Sequence, residues 1–110
     1  MACKHSASSR PEIELRLLQF LADATADDSC RATLIRTLAN YTWLDADNEI
    51  LFETIRVLFA QTPRDILNHL PAALTRNGFP DISCEPLRQR SLLAPADAVA
   101  LAGELLRSAK

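Results

Sequence analysis

Two glycines in 110 residues constrain this chain more than any motif it carries. Average usage of roughly 7% would supply about eight. Phosphate-cradling loops, series of tight hairpins and repetitive β-architectures all draw on glycines that are missing here. The same bias runs through the aliphatic residues: 18 leucines and 17 alanines stand against 2 valines. Leucine and alanine are strong helix formers and valine is a strand former. The fold class read from this is all-α: a compact array of about six or seven short helices in a single domain. Apolar residues make up 48% of the chain and charged residues 24%, the balance of an ordinary globule and not of a disordered tail.

Net charge is −2, so nothing global steers the chain toward nucleic acid or an anionic membrane. Its distribution is uneven. From Glu12 to Glu53 nine acids face only Arg16, Arg31 and Arg36, whereas from Thr54 onward seven bases outnumber five acids. Such asymmetry suits paired or head-to-tail contact between identical subunits, although differing solvated faces account for it more simply. Ten of the twelve bases are arginine, as in a GC-rich bacterial genome.

Three cysteines, Cys3, Cys30 and Cys84, form no CxxC pair and no disulfide framework. Cys3 and His5 are half a metal site without a matching pair, so no metal and no cofactor are expected. The segment Met1 to Ser6 has no apolar run of the signal-peptide kind, and no stretch approaches the roughly 20 apolar residues of a membrane span. The expected location is a reducing cytoplasm.

Residues 1–8 are small and polar and read as a disordered tail before a single helical domain over 9–110. Ser9 and Glu12 have the S-x-x-E spacing of a capping box. Ile13, Leu17, Phe20, Leu21 and Ala24 then recur at helical spacing, and Leu15 and Leu18 widen the stripe until the helix must be buried on more than one side. Asp23 to Asp28 break it and offer caps for a second helix bearing Leu34, Ile35 and Leu38 and ending near Asn40. Asp45 or Asp47 opens a third helix, with Ile50, Leu51, Ile55, Leu58 and Phe59 on one face and Phe52 beside them. Asp45, Asp47 and Glu49 are partners for its dipole.

Thr62-Pro63-Arg64-Asp65 reads as a fourth start, with threonine as cap and proline first in the helix. Pro71 predicts a short helix to about His69, a kink and a further turn with Ala73 and Leu74. Asn77-Gly78 is a left-handed stop. Ser83 caps a short helix bearing Leu87, and Pro95 starts the last, with Val99, Ala102, Leu105 and Leu106 facing inward. The predicted core is Leu17, Leu21, Leu34, Leu38, Leu51, Ile55, Leu58 and Leu105.

No residue set nominates catalysis. His69 is the one histidine inside the helical region, and an enzyme would have to pair it with Glu49 or Asp65. Glu49, Glu53 and Arg56 read as surface ion pairing. Metal-helix, EF-hand and Walker patterns are absent. Arg76, Arg88 and Arg90 gather around Gly78 without interleaved aromatics, a weak basis for a nucleic-acid module. Trp43 is expected to plug a gap between helices, leaving Tyr41 for a partner surface.

Two segments resemble a known family. Glu14-Leu15-Arg16-Leu17-Leu18-Gln19-Phe20-Leu21 is similar to the first helix of the N-terminal domain of bacterial replicative DNA helicases. Trp43-Leu44-Asp45-Ala46-Asp47-Asn48-Glu49-Ile50-Leu51-Phe52-Glu53-Thr54-Ile55 resembles that domain's aromatic, short gap and amphipathic helix, with Asn48 where the family often has histidine. Asp65-Ile66-Leu67 fits the following helix start. The helicase-interacting domain at the C-terminus of bacterial primase shares this helical fold and is equally compatible. The resemblance implies a non-catalytic domain that pairs helicase subunits or holds primase to helicase; no P-loop, and so no motor, accompanies it here.

The functional expectation is therefore a non-catalytic protein–protein interaction module that associates with itself as a homodimer. Leu15, Leu18, Leu92, Leu93 and Leu101 are hard to bury in one small core, and with Tyr41 they form the expected partner surface. The alternatives are a small enzyme with a pocket near His69 and a weak nucleic-acid-binding module.

Overall fold

The structure is a computed structural model that describes residues 10–89 and 93–108. Among these are five α-helices and one 3-10 turn: α1 (Arg10–Ala22), α2 (Asp28–Leu38), α3 (Ala46–Gln61), α4 (Ile66–Arg76), the 3-10 turn Glu85–Arg88 and α5 (Pro95–Ser108). No strand occurs among the described residues, as the composition predicts. Five helices replace the expected six or seven for two reasons. Pro71 lies inside an unbroken α4, and the segment after Ser83 is a single 3-10 turn.

Proline is tolerated in α4 because only the bond its missing amide would give to Leu67 is lost. On either side, Ile66, Leu70, Ala73 and Leu74 are buried and hold both halves of the helix to the core while the Pro71 ring faces solvent. Thr62-Pro63-Arg64-Asp65 is likewise not a helix start. Thr62 ends α3, and the Asp65 amide donates to the Thr62 carbonyl at 3.0 Å, closing a turn with proline at its second position.

The remaining boundaries follow local chemistry. Asp27 caps α2 through the Cys30 amide at 2.8 Å, and Asp45 caps α3 through the Asn48 amide at 3.1 Å. Asp47 and Glu49 occupy the first turn of α3, where the helix dipole favours negative charge. At the end of α4 the Phe79 amide donates to the Leu74 carbonyl at 2.8 Å and the Gly78 amide to the Thr75 carbonyl at 3.1 Å. This doubly bonded Schellman stop requires a left-handed residue, and Gly78 supplies it at φ 92°.

α1 is the central helix, touching α2, α3, α5 and the 3-10 turn, while α3 packs on α4 and α2 on α5. Leu17, Leu18 and Leu21 are fully buried, and Gln19 Nε2 ties the 3-10 turn to α1 through the Pro86 carbonyl at 2.8 Å. All eight predicted core residues are buried, each contributing roughly 1.5–3 kcal/mol by leaving water. Trp43 and Phe52 join them, their ring centroids 4.9 Å apart, so Phe52 is core and not a flanking residue. Val99, expected inward, is 49% exposed: α5 turns its small stripe Ala98, Ala102 and Leu105 to the core, one position away from Val99. The capping box at Ser9, the tail 1–8 with Cys3 and His5, Arg90 and Leu92 lie outside the described residues.

Candidate functional site

Among the described residues two charged side chains, Glu14 and Arg31, are buried completely, and both tie elements of the fold together. Glu14 sits in α1 with no solvent exposure. Its Oε2 accepts from the Tyr41 hydroxyl at 2.6 Å and the Leu44 amide at 2.7 Å; its Oε1 accepts from Asn48 Nδ2 at 3.1 Å and the Asp45 amide at 3.3 Å. Those donors lie in the loop entering α3 and its first turn. One carboxylate thus binds the start of α3 to the central helix. Arg10 adds a donor to the Tyr41 hydroxyl at 2.9 Å, with its guanidinium 5.6 Å from the ring centroid. Burial and the bond to Glu14 push the Tyr41 phenol above its ordinary value.

Arg31 plays the matching part at the other end of α1. Its Nη1 donates to the Leu21 carbonyl at 3.1 Å and the Pro63 carbonyl at 3.0 Å, and its Nη2 pairs with Asp28 at 2.7 Å. The guanidinium lies 5.0 Å from the Phe59 centroid. Its hydrogen bond holds the Asp28 carboxyl below its ordinary value.

Among the described residues an apolar hollow of about 590 Å³ lies between the exposed face of α3 and the end of α4. Ile50, Thr54, Val57 and Leu58 from α3 and Ala73 from α4 line it, and Phe79 closes it. The Thr54 hydroxyl is already bonded to the Ile50 carbonyl at 2.9 Å, so this wall carries no unpaired hydroxyl. Val57 is 53% exposed and Phe79 39%. The Schellman stop at Gly78 is what sets Phe79 there. Charge divides between the rims, with Glu49 and Glu53 on the α3 side and Arg76 on the α4 side. Glu53 pairs with Arg56. Glu49 and Arg76 make no ion pair among the described residues.

The residues expected at a partner surface fall elsewhere. Leu18 is fully buried and Tyr41 nearly so, held by Glu14 and by Trp43, whose ring centroid is 5.1 Å away in an edge-on contact. Leu15, Leu93 and Leu101 are partly buried and pack against the core. Leu92 lies outside the described residues. The described members of this set thus pack inward instead of forming an open patch.

His69 Nε2 lies 3.1 Å from Asp65, the residue that precedes α4, and the histidine side chain is 55% exposed. It lines none of the hollows described here, and Glu49 stands on the α3 rim away from it. Asp65 and Arg88 border a smaller hollow of about 300 Å³, where Asp65 also accepts from Asn68; Arg76 lines the apolar groove, so the arginines around Gly78 do not converge. Burial pushes the Cys30 and Cys84 thiols up, away from the range of a reactive thiolate. Among the described residues no group of three or more His, Cys, Asp or Glu can hold a metal, and no helix is long and apolar enough to cross a membrane.

Periodicity alone misses the groove, because Val57 and Phe79 look like core residues by type. The usable signals were Val57 standing off the Leu51, Ile55, Leu58 stripe and Phe79 following a glycine stop. No family model, curated protein or solved structure matches the chain.

Proposed function

We propose that this chain is a non-catalytic helical module that works by binding a protein, with the α3/α4 groove as its contact face. The carrying observation is that two of the four large apolar side chains exposed among the described residues, Val57 and Phe79, line the same apolar hollow. Its occupant is a protein surface with an apolar ridge flanked by both signs of charge, the complement of rims bearing Glu49, Glu53 and Arg76. Two acids on one rim oppose a phosphate backbone, which speaks against nucleic acid. The His69–Asp65 pair lies open to water and away from this hollow, which speaks against a pocket enzyme. The resemblance to the helicase N-terminal and primase C-terminal domains supports the same reading, since those domains act by contact and not by chemistry.

The test is a benzophenone side chain placed at Val57 in intact source cells, with Glu104 on α5 as the control position. The proposal expects a protein adduct at Val57 that Phe79→Asp removes, and none at Glu104. No adduct at Val57, or equal adducts at both positions, overturns it.

A further inference from the structure

We infer that a second copy of this chain fills the α3/α4 groove, in an isologous dimer whose two-fold axis runs along the groove. This rests on the proposed interaction role and names its partner.

The face is self-complementary in both shape and charge. It carries a hollow of about 590 Å³ together with two half-exposed apolar side chains, Val57 and Phe79, that can enter such a hollow on another molecule. A two-fold axis along a groove exchanges its rims, so the α3 rim of each copy meets the α4 rim of the other. Glu49 and Glu53 of one protomer then face Arg76 of its partner, twice over. Within one chain Glu49 and Arg76 are without ion-pair partners among the described residues, and the dimer supplies one to each. The charge asymmetry of the sequence has its physical outlet here. The acids come from the acidic first half and the arginine from the basic second half.

The size of the face sets the strength. Eleven residues line the groove, about half the roughly 20–30 per side of a standard stable interface. The dimer is therefore reversible at micromolar concentration, and added salt weakens it by screening the rim pairs.

Charge exchange tests this on the full chain by sedimentation equilibrium across the micromolar range. Wild type should approach twice the 12.2 kDa chain mass. Glu49→Arg and Arg76→Glu, each folded by circular dichroism, should weaken self-association by about tenfold, because each sets like charges against one another. Mixing the two variants should restore the dimer, since each then meets opposite charge at both rims. A strict monomer over the whole range, or weakened variants that mixing does not rescue, overturns the inference. The crosslink at Val57 separates this failure from failure of the interaction role: an adduct heavier or lighter than two chains keeps the role and rejects the second copy.

Discussion

The Tyr41 hydroxyl donates to Glu14 at 2.6 Å across 27 residues of sequence, and both groups are buried. The carboxylate also serves two amides and one side-chain amide at the entry to α3. Removing it orphans several buried donors together, and each unsatisfied buried group costs about 1–3 kcal/mol. Glu14→Ala should therefore lower stability by about 3 kcal/mol or more, read from the urea midpoint. Tyr41→Phe, which leaves Glu14 its other donors, should cost only about 1–2 kcal/mol. Equal costs would show that Glu14 is no hub.

Alkali should loosen the same contact. The folded-state pKa of Tyr41 is raised by burial and by Glu14. Its contribution is therefore fully present below the ordinary tyrosine pKa and is lost as pH rises through the higher folded value. Tyr41 is the one tyrosine of the chain and Trp43 the one tryptophan. Tyrosinate absorbance should therefore rise late in a pH titration and together with a change in tryptophan fluorescence. A titration at the value of a free tyrosine contradicts the burial.

Arg31 should resist conservative replacement. Arg31→Lys keeps the charge but cannot reach the Leu21 carbonyl, the Pro63 carbonyl and Asp28 at once. A loss of about 2 kcal/mol or more in chemical denaturation is expected, because buried acceptors are left unmatched.

Acid acts on the partner of that arginine. The Asp28 carboxyl is lowered by the Arg31 hydrogen bond. Its contribution is present above the ordinary carboxylate pKa and disappears as pH falls through the lower folded value. Asp28→Asn should thus be less stable than wild type at neutral pH and indistinguishable from it in strong acid, by thermal melts across pH.

Two aliphatic positions separate core from surface. Leu51→Ala should cost about 2–5 kcal/mol, since the side chain is buried in α3. Val99→Ala should fall within about 0.5 kcal/mol of wild type, since Val99 is half exposed on α5. The comparison is made by urea midpoint.

By itself the sequence determined what depends on neighbours within about four residues. The acidic caps within Asp23 to Asp28 and at Asp45 or Asp47, the glycine stop at Gly78, the proline start of α5 and the eight core aliphatics all rest on backbone angles and helical period, which are local properties; the structure picks Asp27 and Asp45. Helix α1 marks where that reach ended. It is apolar around most of its circumference, so period cannot say which leucines are surplus; only the tertiary packing of α2, α3, α5 and the 3-10 turn around it decides that Leu18 is fully buried and Leu15 partly so. Nothing local marks Glu14 and Arg31 as buried: apart from Asp28, three residues before Arg31, their side-chain partners include groups 10 to 34 residues away. The burial of a charge is decided by whether distant donors and acceptors converge on it. Pro71 stayed helical for a related reason, since core contacts on both sides outweigh one lost hydrogen bond. The groove is tertiary in the same sense: it exists because α4 ends beside α3 and sets Phe79 opposite Val57, a juxtaposition that no local pattern contains.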